Sequence, residues 1–355
     1  MKIKIIDYIG NSFNNIPIGH PKKVIEQFYN ILSDDFDVEL VLPEIYMDDF
    51  EIDLKVPYYQ KIENNKSILK KLYSTFKKFL NIVDVVKSTE DELLFFVNID
   101  ITLFVSLIFV SRTKKIAIVN YTNYESNTGN IKSLVKKYIY RIVKDKILLE
   151  FSTFNVMSDK FIPDYYFISN DQKPERSPEV DLLVIGTINE AKDVISLIQN
   201  TVNTNLALRV VGKFYDENYY EEVLKCSYNA SNITILNKYL SEEEYRDEIS
   251  RTKYVVLPYR MDIYNNLTSG VFLDAIYNNK PIICPKTPFF EQFIDSNIGI
   301  IYSKMNDLEG LIELHSYNES LINIEELQKR YSESIVKERV ISSILKTIQT
   351  VRGEL

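Results

Sequence analysis

From residue 181 to residue 302 the sequence keeps one rhythm, six short apolar runs separated by five segments with helical spacing. The runs read DLLVIG, LALRVVG, ITIL, YVVLPY, PIIC and IGIIY. They are rich in β-branched residues and lack polar alternation, so each is expected to be buried on both faces, the condition of strands in a helix-covered parallel sheet. Helices expected near 190–200, 217–228, from Ser241, 268–278 and 288–295 supply that cover. The segment predicts a complete doubly wound α/β domain.

The first half carries the same alternation less regularly. A strand at 2–8 leads into a long loop containing Gly10 and Gly19 and a helix from about Pro21 to Leu32, and VELVLP (38–43) and KIAIVNY (115–121) read as further buried strands. Residues 93–110 are apolar enough to suggest a membrane span, but Asn98 and Asp100 lie at the middle, where lipid would penalise them. A strand LLFFV and a buried helix TLFVSLIFV are expected instead. Around 170–180 the polar stretch NDQKPERSPEV, with two prolines and no period, reads as a linker. The expected organisation is a first domain over 1–168, a linker over 169–180, a second domain over 181–335 and a C-terminal helix over 336–355 that returns to the first domain. A chain of 355 residues suits two such cores.

Charge narrows the function classes. The net charge of -8 argues against a general nucleic-acid binder, which needs a basic face to displace counterions. Residues 1–165 carry 22 basic and 22 acidic side chains, so the whole negative excess lies beyond them. Two stretches in the first half stand out as basic and amphipathic, 66–83 (KSILKKLYSTFKKFLNIV) and 132–149 (KSLVKKYIYRIVKDKILL). Two readings of them stand: a peripheral contact with an anionic membrane, or ordinary domain helices with solvated lysines. Cys226 and Cys284 lie in different elements without metal-ligand spacing, and both are expected to be reduced. The start of the chain, MKIKIIDYIG, lacks the apolar run of a secretory signal, and a cytoplasmic protein is expected, with or without attachment to the inner face of the membrane.

In an open parallel sheet, ligands bind beyond the carboxyl ends of the strands. There this chain places Gly186-Thr187 with Lys192 soon after, and Gly212-Lys213. A glycine lets backbone N–H groups approach phosphate oxygens, and a lysine adds a compact positive charge. Tyr259 ends a third run and Arg260 follows it, and Thr268, Ser269 and Gly270 precede a helix that begins with Val271. Small hydroxyl and glycine residues at a helix N-terminus suit an anion such as a diphosphate, and Asp274 one turn on suits a ribose. The plain alternative is that Thr268 or Ser269 only caps the helix.

These motifs resemble the GT-B-fold glycosyltransferases, in particular the retaining group called family 4. VIGTINEAKD looks like that family's strand, turn and phosphate-contacting lysine, here Lys192. LNKYLSEEEYRDEI resembles the segment whose backbone contacts the base, here Tyr239 and Leu240, and TSGVFLDAIYNNKPIIC looks like the donor-binding helix and the following strand. The resemblance implies two Rossmann-like domains facing a central cleft, a nucleoside-diphosphate sugar such as a UDP-sugar as donor, and a glycan or lipid-linked glycan as acceptor on the first domain. It also implies a role in surface polysaccharide or glycoconjugate synthesis. No cofactor is expected, and no metal either, because no Asp-x-Asp pair lies at a strand end and lysines can replace the cation.

In the first domain, GNSFNNIPIGHPKKV is similar to the family's glycine-containing first loop, with Gly19 approaching the donor phosphates and His20 facing the reacting groups. A general base at His20 would give inversion. Without it, a retaining reaction in which the leaving diphosphate takes the acceptor proton needs only charge stabilisation by Lys192, Lys213, Arg260 and the Ser269-Gly270 amides. The sequence departs from the family in two places. Asn266 stands where a glutamate usually precedes Asp274 by eight positions, and NYTNYE stands where a histidine is common, leaving Asn120, Tyr121 or Asn123 to fill that space, with Tyr121 and Asn123 as acceptor-side candidates. The departures keep two further readings open, a non-catalytic glycan- or partner-binding subunit and a sugar-nucleotide epimerase.

Overall fold

The computed structural model describes residues 1–9, 12–13, 16–17, 20–56, 68–125, 131–164, 177–264, 268–294 and 297–353. The chain divides into two compact units, one of Met1–Tyr166 with Glu333–Leu355 and one of Phe167–Ser332.

The first unit begins with β1 (Lys2–Asp7), a short antiparallel hairpin pairing Ser12–Phe13 with Ile16–Pro17, and α1 (His20–Ser33). It continues with β2 (Asp37–Pro43), β3 (Leu54–Val56), α2 (Ile68–Ser88), β4 (Leu93–Asn98), α3 (Ile101–Ile108), β5 (Lys115–Asn120), α4 (Ile131–Val143) and β6 (Leu149–Ser152). The sheet is parallel throughout, in the order β3-β2-β1-β4-β5-β6, with Ile5 of β1 opposite Leu40 of β2 and Phe95 of β4. The turn at residues 98–100 explains why the apolar stretch there is not one long helix. Asp100 caps α3 by accepting a hydrogen bond from the Thr102 amide at 2.7 Å, while the Tyr8 hydroxyl donates to Asp100 Oδ1 at 3.0 Å and accepts from its amide at 2.8 Å. Among the described residues no helix is long and apolar enough to cross a membrane.

One expectation needs correction. The stretch 132–149 is not a single basic helix. α4 ends at Val143, a single 3₁₀ turn follows, and Leu149 enters the edge strand β6 opposite Ala117 of β5. Between them Lys146 turns inward and donates to the carbonyls of Leu107, Ile108 and Val110, satisfying the end of α3. The strand β3 has no counterpart among the expected elements either.

The second unit runs β7 (Val180–Ile185), α5 (Val194–Thr201), β8 (Leu208–Gly212), α6 (Glu217–Cys226), β9 (Ile233–Asn237), α7 (Glu242–Ser250) and β10 (Thr252–Val256). It goes on through α8 (Met261–Tyr264), α9 (Gly270–Tyr277), β11 (Ile282–Pro285), α10 (Pro288–Ile294), β12 (Gly299–Tyr302), α11 (Leu308–Leu314) and α12 (Tyr317–Arg330). Its sheet is also parallel, in the order β9-β8-β7-β10-β11-β12, the Rossmann order in which the winding reverses between β7 and β10. Leu182, Val184, Val210 and Val256 bury one face of this sheet against Leu197 and Ile198 of α5. α7 starts at a capping box in which Ser241 and Glu244 satisfy each other's backbone N–H groups. Both cysteines are free thiols, and burial pushes that of Cys284 well above its usual pKa.

A last helix, α13 (Glu333–Arg352), belongs to the first unit, where Val336, Val340 and Ile344 are buried and Arg339 Nη1 donates to the Phe161 carbonyl at 2.6 Å. In the second unit Arg209 of β8 forks onto Glu248 of α7 through Nε at 2.6 Å and Nη2 at 2.8 Å, and Glu248 is buried. Removing the guanidinium leaves that carboxylate without its charge partner. Arg209→Ala should therefore destabilise the protein by about 2 kcal/mol in urea denaturation; an unchanged midpoint would mean that solvent screens the pair.

Candidate functional site

The ends of β7 and β8 are shaped by two glycines. Gly186 has φ +92°, a backbone that side chains rarely adopt. At Gly212 a Cβ would stand 1.8 Å from the Gly186 carbonyl oxygen and 2.8 Å from its carbon, so only glycine fits. Loops beyond the strands are then tied to one another through their backbones. The Gly186 amide donates to Val211 O at 3.1 Å, the Ile188 amide to Lys213 O at 3.0 Å, and the Lys238 amide to Gly212 O at 3.1 Å.

Lys192 sits at the reversal of winding. The loop carrying it turns on Asn189, whose Oδ1 accepts from the Ala191 amide at 3.0 Å, and pairs with the loop after β10. There the Arg260 amide donates to Ala191 O at 2.9 Å and the Asp193 amide to Pro258 O at 2.6 Å. Tyr219 of α6 fixes the start of α5 by donating its hydroxyl to Lys192 O at 2.5 Å and accepting from the Val194 amide at 3.2 Å. The side chain of Lys192 is 5% exposed, donates through Nζ to Ile185 O at 2.9 Å, and lies 5.9 Å from the centre of the Tyr259 ring. Burial lowers the pKa of this amine to about 7, so near neutrality its charge is balanced between two states.

Around the amine the other elements converge. A Cβ on Gly186 would meet Val271 Cγ2 at 3.6 Å and Lys192 Nζ at 4.0 Å, which puts the first turn of α9 beside the lysine. Ser269 caps that helix by accepting from the Phe272 amide at 3.2 Å, and its hydroxyl also bonds that of Tyr259 at 2.7 Å. Capping and site-building are thus the same contact. Tyr259 stacks on Tyr264, with ring centres 3.8 Å apart and planes 4° from parallel. Asp274, one turn into α9, accepts from the hydroxyl of Tyr245 on α7 at 2.8 Å. Lys213, half-buried at the end of β8, holds its amine 6.0 Å from the Tyr239 ring, with Leu240 next in the chain. Gly186, Lys192, Gly212, Lys213, Tyr259, Ser269, Val271 and Asp274 thus occupy the carboxyl-end loops or the helix that opens onto them.

Other expected residues are placed differently. Thr187 is exposed. Arg260 is exposed too, and its guanidinium forks onto Asp262, two residues on, at 3.0 and 3.3 Å. Thr268 and Gly270 flank Ser269 and are half-buried. Asn266 and Gly19 lie outside the described residues; His20 opens α1, and its side chain lies outside them. In the first unit Tyr121 donates to Val97 O at 2.8 Å, and burial with the carboxylates of Asp164 and Asp7 pushes its hydroxyl well above the usual range. Asn123 closes a turn by accepting from the Glu125 amide at 3.1 Å. His315 is structural, its ring between Tyr254 at 3.1 Å and Ser320 at 2.9 Å. Sequence reading missed Tyr219, Tyr245 and Tyr264, whose partners are distant in the chain and which belong to no spaced motif. Among the described residues no group of three His, Cys, Asp or Glu could hold a metal ion.

Two outcomes follow from this geometry. Gly212→Ala should cost about 3 kcal/mol, because the methyl group and the Gly186 carbonyl cannot share the space. Lys192 has a folded pKa of about 7, against about 10.4 in the unfolded chain. Between those values the unfolded state binds more protons, so this group makes stability rise with pH across that window. Melting curves from pH 7 to 10 should show a slope in wild type that Lys192→Met reduces; equal slopes would mean that the amine is not desolvated.

No family model matches the sequence, and no curated protein matches it. Solved structures do. HepE of Anabaena, in complex with UDP and glucose, is similar with TM-score 0.67 and 11% identity over 98% of this chain and 100% of that one. The N-terminal domain of trehalose-6-phosphate phosphatase from Candida albicans gives 0.64 and 9% over 98% and 97%. AviGT4, a glycosyltransferase involved in avilamycin A biosynthesis, gives 0.62 and 11% over 99% and 98%. At these identities the likeness is one of fold. Two six-stranded parallel sheets with flanking helices, matching such neighbours from end to end, give this chain the GT-B fold of glycosyltransferases.

Proposed function

We propose that the chain is a glycosyltransferase that moves a sugar from a nucleoside-diphosphate sugar, a UDP-sugar first among them, to a glycan or lipid-linked glycan in surface polysaccharide or glycoconjugate synthesis. The observation that carries this reading is Lys192, a buried amine at the β7/β10 reversal with its pKa lowered to about 7. A diphosphate beside it would supply the missing counter-charge and draw the amine into its protonated form. The structural likeness to glycosyltransferases, HepE with its UDP and glucose among them, supports the same general reading.

In the proposed reaction the bond between the sugar's anomeric carbon and the diphosphate oxygen breaks while a bond to the acceptor oxygen forms. The acceptor's proton passes to an oxygen of the leaving diphosphate. Lys192, Lys213 and the N-terminal end of α9 stabilise the charge that develops there, so no metal is required. Asp274, held by Tyr245, suits the ribose hydroxyls. Retention is proposed because the donor motif resembles the retaining group, and a base at His20 would instead give inversion.

Asn266, standing where the resembled family has a glutamate, favours one second reading, a non-catalytic subunit that binds a glycan or partner enzyme. Incubation with a panel of nucleoside-diphosphate sugars, followed by NMR of the anomeric proton, separates the two. The proposal expects hydrolysis or transfer of at least one donor with retained configuration, lowered at least about 100-fold in Lys192→Met. Binding without turnover of any donor would favour the second reading, and an inverted product would move the base back to the protein.

A further inference from the structure

α4 has two apolar faces, and only one is used by the fold. Ile139, Tyr140 and Val143 point into the core of the first unit with Phe104 and Leu107 of α3. On the opposite side Ile131, Leu134, Val135, Tyr138 and Ile142 recur at helical spacing, and all are exposed, Ile131 by 77% and Tyr138 by 68%. An uninterrupted apolar stripe facing solvent has no role in stability and marks an interaction surface.

The stripe is not isolated. α3 packs against both α4 and α2, and at its end Phe109 is 63% exposed while making an edge contact with Phe79 of α2 at 5.5 Å. Along α2 the apolar line of Leu72, Phe76, Phe79, Val83 and Val86 runs from exposed at the first two to buried at the last two. The outer part of α2, the end of α3 and the outer face of α4 thus present apolar side chains from neighbouring helices of one unit.

Charge identifies what the surface fits. In a chain of net charge -8, α2 carries five lysines against one aspartate, and α4 carries four basic residues, Lys132, Lys136, Lys137 and Arg141, and no acidic one. On α4 the helical angles put Lys132 on one flank of the stripe and Lys137 and Arg141 on the other. Apolar side chains bordered by cations on both sides suit the interface of an anionic bilayer, where the rings and aliphatic chains enter the headgroup region and the lysines meet lipid phosphates. A protein partner or a second copy buried on this stripe would need acidic groups placed opposite individual basic side chains, whereas a continuous anionic surface meets the whole basic border at once.

We propose that the outer faces of α2 and α4, with the end of α3, form a docking surface for anionic lipid membranes. The surface stands apart from whatever reaction the second unit supports, and its test needs no turnover. Full-length protein is floated with vesicles of phosphatidylcholine alone or mixed with phosphatidylglycerol. Wild type should float with the anionic vesicles and not with the neutral ones, and raised salt should release it. Leu134→Ser with Tyr138→Ser, both exposed and remote from the fold's core, should keep the wild-type melting temperature and lower the floated fraction at least about fivefold. Absence of flotation with anionic vesicles at low salt would overturn the proposal. So would equal flotation of the double variant, or a wild-type dimer in sedimentation that the same variant dissolves.

Discussion

An amine buried to 5% exposure beside a backbone carbonyl is an uncomfortable thing for a protein to build, and the second unit is arranged around one. Desolvation disfavours the charge of Lys192, while the hydrogen bond to Ile185 O and the face of Tyr259 give it only partial company. The architecture keeps it there. Loops after β7 and β10 pair through Lys192 and Tyr259, Tyr219 holds its carbonyl, and the contact of Gly212 with the Gly186 backbone brings the strand ends close enough to leave no slack. The proposed anion, sharing that crevice of the Rossmann sheet, would offset the cost of holding the amine there.

The two units share one strand order and differ in what their surfaces carry. In the second unit exposed lysines form ion pairs such as Lys238–Glu244 and Lys286–Glu291, and one amine, that of Lys192, is buried at the sheet's reversal. In the first unit the cations of α2 and α4 border apolar side chains that the fold leaves in solvent. The same fold therefore presents one feature suited to a compact anion and another suited to an extended anionic surface.

Much of the fold was legible because strands of a helix-covered parallel sheet are apolar on both faces. DLLVIG, YVVLPY and PIIC declare themselves without reference to anything distant, and Ser241 announces α7 through a local capping box. Leu54–Val56 and Leu149–Ser152 do not, because edge strands are short and are defined by their partner. Leu149 follows a basic helical stretch whose periodicity carries past the true end of α4, and its pairing with Ala117 is invisible along the chain. The site divides in the same way. Glycines and Lys192 follow strands and could be found from them. The aromatic supports could not, since Tyr245 meets Asp274 across 29 residues and Tyr219 meets Lys192 across 27. Arg260 follows the same strand-end logic, but its exposed pairing with Asp262 is a contact that its position does not announce.

The account turns on whether Lys192 meets an anion, and calorimetry of UDP binding at pH 8, repeated in buffers of different ionisation enthalpy, tests this most directly. At that pH an amine with a pKa of about 7 is mostly neutral, whereas one beside a diphosphate is protonated. Binding should take up roughly one proton in wild type and none in a weakened Lys192→Met complex. Proton uptake that is absent in wild type, or equal in the two proteins, would contradict the account.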